Sequence, residues 1–251
     1  MDTRWLAGRR LDPDAETRLF CLPYAGGSAA AYRGWRGRLP AGLELCALEL
    51  PGRGGRLGEP AVPRLGRLVE MIADGIAAGL DRPYALFGHS MGGLLAFELA
   101  RSLRRRGLRP PERVFISAMA PPGTSVARPQ LHQAPDEEVL RRLAELGGTP
   151  PELLANEELM ELLLPVFRAD FAVLETYEYR PEAPLAVPLT VCGGRADRNA
   201  PPTGLHGWRK HTSADARLHL FDGGHFYLHE QQEHLLGAVL SDLSPAHRSV
   251  V

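Results

Sequence analysis

The sequence predicts an α/β protein: a mainly parallel central sheet flanked by helices, with a helical insertion late in the chain. Three observations predict it. Short apolar runs alternate with stretches of helical periodicity. The runs are continuously apolar, which is how strands buried on both faces read. Each run ends in a loop punctuated by glycine or proline, where a strand can turn into a crossover. A length of 251 residues suits one domain of this kind, and 1–251 is read as a single unit.

Leu19-Phe20-Cys21-Leu22 is the first strand, stopped by Pro23 and the turn Ala25-Gly26-Gly27-Ser28. Leu43 to Leu48 is the second, ending near Pro51-Gly52-Arg53-Gly54. Leu65, Leu68, Val69, Ile72 and Ile76 recur at helical spacing up to Asp81-Arg82-Pro83. The run Ala85-Leu86-Phe87-Gly88 follows, then a helix through Leu94–Ala100 whose C-cap region is Gly107. Val114-Phe115-Ile116, Leu189–Cys192 and Leu218–Phe221 are later strands, and Leu235 to Leu243 forms a last amphipathic helix. Between about Pro121 and Pro184 the alternation stops. Only helical patterns occur there (Val139, Leu140, Leu143, Leu146; then Leu159 through Leu174). An insertion at this place would lie over the strand ends as a lid and wall an apolar pocket; the competing expectation is that it only enlarges the core.

Composition excludes several classes of function. Apolar residues make up 44% and charged residues 24%, ordinary for a soluble globular chain. A formal charge of −1 gives no field for nucleic acid or an anionic membrane. No run reaches transmembrane length, and the N-terminus has no apolar leader core, so a cytoplasmic protein is expected. Cys21, Cys46 and Cys192 are widely spaced in strand-like runs, which fits buried thiols rather than a disulfide or metal set. No metal and no cofactor are expected, and a monomer is expected.

The chemistry is concentrated in Gly88-His89-Ser90-Met91-Gly92. This G-x-S-x-G sits between a strand and a helix, where a tight turn pushes the serine hydroxyl out of the sheet. Ser90 would stand at a helix N-terminus, which favours developing negative charge. The alternative is a glycine turn whose serine only caps the helix. A serine nucleophile needs a base, and the base needs an orienting acid. His225, in the loop Asp222-Gly223-Gly224-His225 after the last strand, is the candidate base. His89 lies inside the turn with its ring expected to point away; His219 is within a strand; His206, His211 and His229 have no strand-end placement. Asp197, past Val191–Ala196, is the candidate acid; Asp222 is a rival with poor geometry, too near His225 in one loop. The order Ser90, Asp197, His225 is that of α/β-hydrolases. The backbone N–H of Met91 and one from the loop Pro23–Ser28, Ala25 or else Tyr24, would form an oxyanion hole. These residues indicate a serine acyl hydrolase and leave open which atom the acyl group leaves.

Two loops narrow the choice. Leu22-Pro23-Tyr24-Ala25-Gly26-Gly27-Ser28 and Glu49-Leu50-Pro51-Gly52-Arg53-Gly54-Gly55-Arg56, combined with the serine turn, resemble the paired signatures of type II thioesterases. These are the stand-alone editing enzymes of polyketide and nonribosomal peptide synthesis. The resemblance runs from about Leu19 to Leu243; in the insertion it extends only to length and helical character. Tyr24 replaces the histidine or phenylalanine of several relatives, and the acid after the later strand is also like the type II group. The resemblance implies an α/β-hydrolase fold with a helical lid. It implies hydrolysis of acyl groups from the phosphopantetheine thiol of acyl- or peptidyl-carrier proteins, with small acyl thioesters as further substrates. Two other functions stay open: an oxyester hydrolase, and a non-catalytic binder of small molecules. Arg53 and Arg56 are read equally as a phosphate or carrier contact or as loop-stabilising ion pairs. Arg104-Arg105-Arg106 reads as a solvated helix end.

Overall fold

A computed structural model describes residues 2–124 and 130–243. Six strands form one sheet: β1 (Thr17–Leu22), β2 (Leu43–Ala47), β3 (Tyr84–His89), β4 (Arg113–Ser117), β5 (Leu189–Gly194) and β6 (Ala216–Phe221). Their order is β2-β1-β3-β4-β5-β6, and every neighbouring pair is parallel. The expectation of a mainly parallel sheet is met in full by the described strands. Helices follow in chain order: α1 (Leu65–Ile76), α2 (Met91–Arg105), α3 (Asp136–Leu146), α4 (Pro151–Leu154), α5 (Glu157–Glu175), α6 (Pro202–Leu205), α7 (Tyr227–Glu230) and α8 (Gln232–Leu243).

Strand alternation divides the core. Phe20, Leu22, Leu86, Val114 and Ile116 face one side, where α1 and α2 supply Leu68, Ile72, Leu95 and Leu99. Leu19, Cys21, Phe87 and Phe115 face the other side and meet Leu235, Leu236 and Val239 of α8. Tyr32 and Trp35 also pack there. They belong to a 3-10 segment, Ala29–Arg38, for which the sequence predicts no element. Its apolar residues are too few to give a helical stripe, and only the neighbouring sheet face makes sense of them. The three cysteines are buried free thiols.

Between β4 and β5 the described residues contain helices and no strand. The five residues 125–129 of the expected insertion lie outside the described set. Helices α3 and α5, with Leu131 from the 3-10 turn Leu131–Gln133, form a third apolar cluster with Val139, Leu143, Met160, Leu164, Phe167 and Phe171. The insertion therefore carries a small core of its own.

The chain leaves β1 toward β2 and then returns to place β3 on β1's other side. Ligand crevices form at such reversals, outside the carboxyl ends of the strands. The loops after β1, β3, β5 and β6 all lie at that end of the parallel sheet.

Candidate active site

Ser90 joins β3 to α2 with φ 52° and ψ −120°, a conformation that non-glycine residues rarely adopt. The flanking glycines explain how the chain holds it. A Cβ on Gly88 would stand 1.9 Å from the Gly92 carbonyl oxygen, and one on Gly92 would stand 2.2 Å from that of Leu22. The Ser90 N–H donates to the Ser117 carbonyl at 2.7 Å, tying the turn to β4. Its hydroxyl makes no capping bond to the helix. Instead Ser90 Oγ–H donates to His225 Nε2 at 2.9 Å.

His225 Nδ1–H in turn donates to Asp197 Oδ2 at 2.8 Å. The other carboxylate oxygen of Asp197 accepts the N–H groups of Asn199 (2.8 Å) and Ala200 (3.1 Å). Burial pushes the Asp197 carboxyl upward. The bond from His225, its charge and the two backbone N–H groups outweigh that push, so the acid lies below its ordinary range and stays ionised. The structure thus brings Ser90, His225 and Asp197 into one hydrogen-bonded chain. Asp222 is exposed and pairs with Arg195 at 3.2 Å, away from His225.

Met91 is the first residue of α2, so its N–H is among those the helix leaves unpaired. In the loop after β1, Gly26 N–H goes to Asp170 (2.7 Å) and Gly27 N–H to the Tyr24 carbonyl (2.9 Å). Ala25 and Tyr24 both line the cavity with Ser90 and His225. That cavity measures about 720 Å³. Its far wall is the helical insertion, through Leu143, Leu146, Leu163, Phe167, Phe171 and Leu174.

The remaining candidates fall as follows. The His89 ring is fully buried behind His225, with ring centroids 5.5 Å apart, and shares a 2.8 Å hydrogen bond with Ser117 Oγ. Burial, then the nearby His225 and His229 rings, hold it well below the usual histidine range, the His225 backbone pulling weakly the other way. His229 lines the cavity and meets the Tyr24 hydroxyl at 3.3 Å, a placement its polar sequence context did not announce. His211 packs against Phe97 and Trp208.

Arg53 and Arg56 resolve toward internal pairing. Arg56 bonds Glu59 at 2.6 and 3.0 Å and stacks 4.1 Å over Trp5. Arg53 makes a two-pronged bond to Asp170 at 2.6 and 2.8 Å. Both guanidinium groups are buried, which removes them as open phosphate contacts. Arg104, Arg105 and Arg106 are not simply solvated, since they pair with Glu182, Glu70 and Asp74. Asp170 is the residue that sequence reasoning missed. Its signal was available: a carboxylate at 170, between Phe167, Phe171 and Leu174, stands in an apolar helical stripe and needs a buried partner.

The family model for the thioesterase domain matches residues 17–243. A Brevibacillus parabrevis protein named linear gramicidin dehydrogenase LgrE is 41% identical over 244 residues, 96% of this chain and 93% of its own. The loop after β1 here, Pro23–Ser28, lacks the G-x-G-x-x-G turn of dinucleotide-binding strands. The type II thioesterase BorB from the borrelidin biosynthetic cluster superposes with TM-score 0.85 at 36% identity, covering 94% of this chain and 96% of that one. RedJ, a thioesterase of the prodiginine pathway in Streptomyces coelicolor, gives TM-score 0.86 at 34% identity, with 97% and 100% covered. The chain belongs to the thioesterase family, in its type II group, and is a thioester hydrolase on an α/β-hydrolase fold.

Proposed function

We propose that this thioesterase removes aberrant or stalled acyl groups from the phosphopantetheine thiol of carrier proteins in a polyketide or nonribosomal peptide assembly line. Ser90 attacks the thioester carbonyl while His225 takes its proton, and Asp197 fixes the imidazole tautomer. The oxyanion that forms accepts the N–H groups of Met91 and Ala25. As the tetrahedral intermediate collapses, the C–S bond breaks and His225 returns the proton to the leaving thiolate. His225 then takes a proton from a water that attacks the acyl carbonyl. As the second tetrahedral intermediate collapses, the acyl C–O bond to Ser90 breaks, His225 returns that proton to Ser90 Oγ, and a carboxylic acid leaves. No metal and no cofactor enter this sequence. The helical insertion acts as the lid, and its apolar wall receives the acyl chain.

The observation that carries the reading is the continuous chain from Ser90 Oγ through His225 to a buried carboxylate, opening on an apolar cavity. BorB and RedJ are named as thioesterases of biosynthetic pathways. The carrier-bound substrate comes from the resemblance to the type II group, and a cytoplasmic site of action is part of the same proposal. No helix among the described residues is long and apolar enough to cross a membrane. The test compares hydrolysis of acyl-carrier thioesters with oxyesters of equal chain length. Preference for the carrier-bound thioester is the expected result; faster turnover of the oxyesters would refute the editing role.

A further inference from the structure

Arg53 and Asp170 are 117 residues apart and join three segments of the molecule. Asp170, on α5, accepts both prongs of the Arg53 guanidinium and, through Oδ2, the N–H of Gly26 at 2.7 Å. Arg53 donates onward to the Gly27 carbonyl at 3.3 Å and to that of Pro51 at 3.3 and 3.4 Å. Gly26 and Gly27 immediately follow Ala25, so the pair grips the oxyanion loop by one N–H and one carbonyl. A second contact supports the grip one turn away on α5. Phe167 packs so closely on Gly26 that a Cβ there would lie 1.9 Å from its ring, and Gly26 has φ +73°. Phe167 and Asp170 are spaced i, i+3, hence on one face of the helix.

Stability alone is a poor reason for such a pair. Both side chains are nearly or fully buried, and an apolar pair of similar volume is often as stable as a buried ion pair. What an apolar pair cannot do is hold the Gly26 N–H and the Gly27 carbonyl in fixed directions. We propose that Arg53 and Asp170 are positioning residues, a buried strut that sets the oxyanion loop and makes its catalytic conformation depend on α5 being seated. The proposal rests on the reading of Ala25 as an oxyanion donor. A lid that lifts α5 would take the Asp170 carboxylate with it, and the loop would lose the anchor that aims Ala25. Acylation is thereby linked to a closed lid.

The test uses two variants of the whole chain, the isosteric Asp170→Asn and the apolar double variant Arg53→Met with Asp170→Leu. Turnover of an acyl-N-acetylcysteamine thioester is measured per folded molecule, with the folded fraction taken from circular dichroism. Loss of one oxyanion donor costs roughly 100- to 1000-fold in kcat. A donor misaimed rather than removed is expected to cost about ten- to a hundredfold. KM should stay within about threefold, and an alkyl boronic acid should bind more weakly by the same factor as kcat/KM falls. The pH–rate profile should keep its shape, because the groups that move protons are untouched. Turnover that merely follows the folded fraction, or boronate affinity unchanged while kcat falls, would overturn the strut. A wild-type protein with no thioester turnover would instead refute the underlying functional reading.

Discussion

At the strand ends, added atoms meet backbone: a methyl on Gly88 or Gly92 collides with a carbonyl oxygen at 1.9 or 2.2 Å. Across the cavity, the helical insertion meets the same space with side chains, Leu143, Leu146, Leu163, Phe171 and Leu174 among them. One side is built from main-chain geometry and charge, and the other, the buried Asp170 apart, from apolar volume packed on its own small core. The difference separates two tasks. Proton transfer and oxyanion binding need atoms held to a fraction of an ångström, which a backbone turn locked against its neighbours supplies. Choice of acyl chain needs a volume that side chains can change without moving the reacting atoms.

Substitutions on the two sides should therefore differ in kind. Ser90→Ala and His225→Ala are expected to lower kcat by about 10⁵- to 10⁶-fold in steady-state thioester hydrolysis. A residual rate near wild type for either would end the distinction. Asp197→Asn keeps the shape but favours the wrong imidazole tautomer, and kcat should fall by about 10⁴-fold with KM little changed. On the helical side, Leu163→Trp fills the cavity. It should lower kcat/KM for long acyl chains by about ten- to a hundredfold and leave acetyl and propionyl thioesters within about threefold. Equal losses for every chain length would mean that this wall does more than select.

A smaller effect probes the buried strand-end side through pH. His89 is held neutral by burial, so its folded pKa is lowered. Below the unfolded value of about 6.5, the unfolded chain binds a proton that the folded one does not. Stability should therefore be full above that pH and fall by up to about 1.4 kcal/mol per pH unit below it. His89→Gln should show a shallower fall in urea midpoints between pH 7.5 and 4.5. Identical slopes in the two proteins would contradict the buried neutral imidazole.

The same contrast explains what the sequence disclosed. The strand-end residues are legible because their geometry is local: G-x-S-x-G needs its glycines within two residues of Ser90, and Asp197 and His225 each follow an apolar run. Helix α1 is legible for the same reason, since Leu65, Leu68, Val69, Ile72 and Ile76 repeat at its own period. Arg53 was not assignable, because the residue that neutralises it lies on a helix far along the chain. The 3-10 segment Ala29–Arg38 was missed because Tyr32 and Trp35 are ordered by tertiary contact, with Phe87 beneath them. His89 shows the limit of orientation arguments. Its ring does leave the Ser90 hydroxyl, yet it comes to rest against the back of His225.

The most direct test of the central claim is intact-protein and peptide mass spectrometry after rapid mixing with an acyl-N-acetylcysteamine thioester. The expected result is a transient adduct of one acyl group, mapped to the peptide containing Ser90 and absent from Ser90→Ala. An adduct on another residue, or undiminished thioester hydrolysis by Ser90→Ala, would contradict the account.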